Sequence, residues 1–193
     1  SEVTFVEDVL FDDTQFDAGA TFRGVECRGG TTLLNDDASF SGVTFGDRVT
    51  FERGRFGYSN FTDVEFKNGA VFTQSEFTDD VTFENVHFDG VADFDEVLFD
   101  GDSVFMNAVF EGATSFRGAV FDGGISQVTN DAVFTNATFV GGADFSDVVC
   151  TSADFTEVAF KQSADFTDTD FTDSLQLKPT SFGDDTYLNF TEA

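Results

Sequence analysis

The chain has 193 residues, 29 of them Phe, with no Trp and one Pro, and a formal net charge of −28 from 37 acidic and 9 basic residues. That length holds one domain or one repeat array, and a hydrophobic content of 40% is enough for a real core. The charge excludes a nucleic-acid-binding surface, because phosphate contacts need Lys and Arg; no apolar stretch is long enough to cross a membrane, and the first residues carry no signal-peptide pattern.

The acidity has three readings: solubility in a high-salt cell or medium, mimicry of DNA phosphates, or collection of divalent cations. Abundant Asp with only three Lys (Lys67, Lys161 and Lys178) favours salt adaptation. At low salt such a charge repels itself and destabilises the fold.

In chain order, an aromatic beat begins at once with Phe5, Phe11, Phe16, Phe22 and Cys27. It crosses "CRGGTTLLNDDASF" (27–40) through Leu34, then runs from Phe40 to Phe121 in steps of five or six. It crosses "FDGGISQVTNDAVF" (121–134) through Val128 and continues to Phe182, with Cys150 and Leu177 in Phe slots. Counted this way there are 33 beats, 28 of them Phe. Two residues before each beat stands a small, hydroxyl or apolar residue such as Val3, Val43, Ala92 or Thr114, and no residue at either position is charged. The acids lie elsewhere, mainly in the two or three residues after the beat.

Residues two apart on a strand point to the same side. Ala-x-Phe is therefore a short extended side with both ends inward, and the following Asp, Asn or Gly residues form a corner. Four such sides close a coil of about 22 residues. A helix fails, since residues five apart lie about 140° apart on it and the aromatics form no stripe.

The two breaks span thirteen residues where eleven are expected, and each carries Gly-Gly early and Asn-Asp late. Gly29, Gly30, Asn35, Asp36 and Asp37 in the first, and Gly123, Gly124, Asn130 and Asp131 in the second, are the candidate interaction loops. The competing reading is a corner insertion left by duplication. Counting seventeen beats between them puts the two on adjacent faces of a four-sided rod. The beat is lost after Phe182, so 1–182 is the repeat body and 183–193 a tail or partial cap. The start in mid-repeat exposes strand edges. The chain is expected to be part of a longer protein, to pair with a protein partner, or to stack end to end.

Runs such as "ADFTEVAF", "ADFTDTDF" and "TSFRGAVF" resemble the pentapeptide-repeat family, and the likeness covers Val3 to about Phe182. The alternation of five and six is similar to a Phe-rich subgroup of that family. The resemblance implies an all-β, right-handed quadrilateral β-helix with a dry core, about eight coils long. It also implies DNA mimicry as one function, since some members bind type II topoisomerases such as gyrase.

Catalysis is not expected. His87, the only histidine, should face solvent, and Cys27 and Cys150 should be buried thiols, so no nucleophile–base pair or zinc site can be assembled. No cofactor is expected. Weak divalent-cation binding has candidate corners at Asp12–Asp13, Asp79–Asp80 and Asp100–Gly101–Asp102, without the ligand spacing of an EF-hand loop. The expected function is a rigid acidic scaffold for protein interaction, with DNA mimicry the alternative. The compartment stays open between cytoplasm and cell surface of a high-salt organism.

Overall fold

The computed structural model describes residues 3–28, 37–123, 131–178, 181–184 and 186–192. Their regular structure consists of short strands, with two longer ones at Val149–Thr156 and Asp170–Lys178. Each inward-x-inward unit of the sequence becomes a strand paired in parallel with the strands one coil before and after it. Leu98–Phe99 lies between Glu76–Phe77 and Val120–Phe121. Ala92–Asp93 lies between Ala70–Val71 and Thr114–Ser115. The result is an all-β solenoid of four-sided coils, eight among the described residues.

The four faces open, in chain order, with Val3–Phe5, Val9–Leu10, Gln15–Phe16 and Ala20–Thr21. The third and fourth faces are separate eight-stranded parallel sheets. The first and second merge into one sheet of 14 strands, because Val149–Thr156 runs through both. Its Val149–Cys150 end pairs with Val120–Phe121 on the first face and its Ala153–Asp154 part with Ala132–Val133 on the second. The corner inside it has two residues, Thr151–Ser152, as does Gly57–Tyr58 in the third coil, where the strands stay separate. It corresponds to one of the places where a step of five follows a step of five.

The Phe rings fill the centre. Along each face they stack coil on coil: Phe94 lies 4.8 Å from Phe72 and 4.8 Å from Phe116, nearly parallel to both. Around a coil the rings meet edge to face, as Phe83 and Phe94 do at 5.5 Å and 86°. Both geometries are the favoured ones for aromatic quadrupoles. The first face has a shorter ladder, Phe56–Phe77–Phe99–Phe121, bounded by Cys27 and Cys150. Those thiols are buried and free, and burial pushes Cys27 up to about 11 and Cys150 up to about 12. The inward hydroxyls are satisfied: Ser75 donates to the Phe51 carbonyl at 2.9 Å and Thr169 to the Phe145 carbonyl at 2.7 Å. This is how Ser and Thr replace Ala at the inner position without leaving an orphan group.

Two details of the beat differ from the sequence reading. Leu34 and Val128 lie outside the described residues, but the flanking residues already occupy consecutive faces. Cys27 pairs with Phe56 on the first face and Ala38 with Ser59 on the second; Phe121 pairs with Phe99 on the first and Ala132 with Ser103 on the second. Neither interval adds a side, so the placement of the two breaks on adjacent faces is corrected. Both connect the first face to the second, in the second and sixth coils, ~19 Å apart at the usual strand spacing. Beyond Phe182, Leu188–Asn189 pair with Ala164–Asp165, and Phe190 stacks on Phe166 at 4.8 Å. That segment supplies the fourth side of the last coil through a long corner that hides the beat. With Phe190 counted and Leu34 and Val128 set aside, the 33 beats become 32, four for each of eight coils.

Candidate interaction surface

The corners come in two kinds. After the second and fourth faces the chain turns in two residues, and the second of these has positive φ at every described corner of this kind, from Asp13 to Glu192. Phe94 accepts a hydrogen bond from the Val97 N–H across such a turn, with Glu96 at φ 56° between them. The bond and the sign of φ are those of a type II turn, which prefers Gly at that place. Here twelve of the positive-φ residues are not Gly. Their side chains bond along the rod instead. Asn85 donates to Asp63 at 3.0 Å, Asn107 to Asn85 at 2.9 Å and Asn136 to Asn107 at 2.8 Å. On the opposite edge Arg53 donates to Gln74, and Gln74 to Glu96.

The corner from the first face to the second carries the two breaks. Of the candidate loop residues, Gly29, Gly30, Asn35, Asp36, Gly124 and Asn130 lie outside the described residues. Asp37, Gly123 and Asp131 are described and share this corner. The Asp37 carboxylate accepts the Tyr58 N–H at 3.1 Å and that of Asp131 accepts the Ser152 N–H at 2.8 Å. Asp80 does the same for the Asp102 N–H at 2.9 Å. These acids tie one coil to the next. A Cβ at residue 123 would come within 2.4 Å of the Asp131 carboxylate, which requires glycine there. Partial burial raises the carboxyls of Asp80 and Asp131 above the usual range, and Asp102 adds like-charge repulsion to both.

A further set of acids stands one residue before the beat. Asp93, Asp144, Asp154 and Asp165 each accept the N–H two residues on, bridging the beat: Asp95, Ser146, Thr156 and Thr167 donate at 3.1, 2.9, 2.8 and 3.0 Å. The Thr167 hydroxyl also donates to Asp165 and is the main cause of its lowered carboxyl. Asn60 and Asn189 fill the same role with neutral side chains. Three of these Asp, at 93, 144 and 165, share the fourth face. The signal was present in the sequence as "ADF" at 92–94, 143–145 and 164–166, but the beat alone does not show which sides share a face.

His87 lies half-exposed on the third face beside Asp89 at 3.1 Å. Among the described residues no group of three His, Cys, Asp or Glu side chains is arranged to hold a metal ion, so the acidic corners at Asp12–Asp13, Asp79–Asp80 and Asp100–Asp102 are not brought together with further ligands. Among the described residues no helix is long and apolar enough to cross a membrane.

The family model for pentapeptide repeats matches residues 55–98 with nine copies, over the third and fourth coils and the start of the fifth. Residues 55–98 are pentapeptide repeats. Among solved structures, the chain aligns with HetL, a pentapeptide repeat protein involved in heterocyst differentiation regulation from the cyanobacterium Nostoc sp. strain PCC 7120. That alignment has 9% identity, covers 91% of this chain and 87% of the other, and has a TM-score of 0.27. A comparison with curated proteins returns no match.

Proposed function

We propose that this chain is a rigid acidic scaffold whose outer side chains engage a protein partner. The observation that carries the reading is the continuous ring stacking along the axis. On the fourth face it runs unbroken from Phe22 to Phe190. Such a core fixes every outer residue to a regular grid and leaves its surface as the working part. The test places a photocrosslinking amino acid at Leu98, Val104, Val109 or Ser115, one outward position on each face of the fifth coil. A discrete protein adduct from at least one face in the native host is expected. No adduct from any face refutes the scaffold reading.

A second reading, DNA mimicry, is favoured by the charge density. With eight coils at the usual strand spacing the rod is ~38 Å long, so the net −28 amounts to one charge per about 1.4 Å, near the value of about 1.7 Å for duplex DNA. A mimic inhibits supercoiling by a type II topoisomerase at stoichiometric amounts; no inhibition removes this reading.

A further inference from the structure

The fourth face is not flat. An open groove of about 530 Å³ runs along it. Its floor is made of small residues just before the inner position in successive coils, Ala113, Gly142 and Ser163. Val91 closes one end and Tyr187 the other, and both are largely exposed, at 51% and 66%. From the fourth coil to the eighth is four steps, ~19 Å at the usual spacing between strands. That is the reach of about six residues of extended chain.

The lining holds four Asp and no Lys, Arg or His. Asp95 is engaged by Arg117 at 2.5 Å and by the Ser115 hydroxyl. The other three, Asp93, Asp144 and Asp165, each use Oδ1 to hold their own turn. Their Oδ2 atoms make no hydrogen bond among the described residues. The groove therefore offers an apolar trough as long as a short peptide, with three carboxylates along it and an aromatic ring at one end.

We infer that this groove seats an extended, arginine- or lysine-rich segment of a partner protein, laid along the rod axis. The inference rests on the scaffold reading and names its docking site. The chemistry matches part by part. The stems of long cationic side chains cover apolar floor while their heads stay polar. Guanidinium groups pair with carboxylates in a defined geometry, and one of them can lie on the face of Tyr187.

The test measures binding of a fluorescein-labelled hexa-arginine peptide to the full chain by anisotropy at physiological salt. Asp144→Asn with Asp165→Asn removes two charges from the groove and keeps the turns, because Asn60 and Asn189 already make the same bonds. This pair weakens binding about tenfold, as loss of two close charge contacts does. Asp154→Asn with Asp173→Asn removes the same charge outside the groove and changes binding less than twofold. Gly142→Leu blocks the floor with the charge unchanged. A Cβ at 142 meets nothing nearer than 3.7 Å, so the fold tolerates it, and binding again falls about tenfold. Equal losses from the two charge pairs, no effect of Gly142→Leu, or no peptide binding by the unmodified chain each overturn the groove as the site. None of these results changes the crosslinking outcome, which tests the scaffold itself.

Discussion

Phe94→Ala tests the core where it is most continuous. The Phe94 side chain is fully buried. It stacks on Phe72 and Phe116 and meets Phe83, Phe88 and Phe105 edge-on at 5.5 to 5.9 Å. Truncating a buried Phe costs ~3–5 kcal/mol through lost transfer energy and the cavity left behind. Each aromatic pair adds ~0.5–1.5 kcal/mol beyond area, and coils above and below cannot collapse into the gap because the strand spacing fixes them. The expected loss is therefore at the upper end, about 5 kcal/mol. Phe182 provides the control, since it occupies the same place in its repeat but is half exposed; its truncation should cost under ~1 kcal/mol. Urea titration followed by circular dichroism, at one fixed high salt concentration, measures both. Equal losses at the two positions would show that the stacked core is not what holds the rod together.

Three other outcomes follow from the charge and the turns. Raising KCl should raise the thermal midpoint, by ~2–4 °C for each kcal/mol of repulsion screened; a midpoint indifferent to salt rules out self-repulsion as a destabilising force. Asp131→Asn should stabilise the fold at neutral pH. Burial raises the folded carboxyl above its unfolded value, so the folded state binds the proton more tightly and stability is lost as pH rises through that window. The advantage of Asn should shrink as pH falls toward the ordinary carboxylate range, and thermal melts between pH 7.5 and 4.5 read it; an advantage that grows on acidification contradicts the assignment. Glu96→Val should be ~1–2 kcal/mol less stable than Glu96→Gly, because a β-branched residue is strained at φ 56° and glycine is not. Both variants lose the bond to Gln74, so the difference isolates the backbone, and equal stabilities in urea titration would contradict a left-handed turn.

Much of this architecture was legible because a buried aromatic and a small residue two places earlier leave a period that charge never enters. Phe94, Phe99 and Phe105 could each be placed inward from spacing alone. The faces of the two intervals are not legible in the sequence, because Leu34 and Val128 are apolar and stand six to seven residues from their neighbours, much as a beat does. Only pairing of Cys27 with Phe56 and of Ala38 with Ser59 shows that no face lies between them. Phe190 is hidden for the opposite reason: a long corner after Phe182 breaks the count, although the ring returns to its stack on Phe166. The roles of the acids were hidden as well. A sequence shows that Asp144 points outward, but not that one of its oxygens is committed to the Ser146 N–H, nor that the residue lines a groove shared with residues in neighbouring coils.

The common corner of the two intervals has a consequence for how such a chain can change. Adding or removing one whole coil of about 22 residues between Cys27 and Phe121 would slide the two intervals apart or together by ~4.8 Å. It would leave both on the same edge. The rod thus behaves as a ruler with fixed graduations, in which distance can be altered in whole steps while direction is conserved.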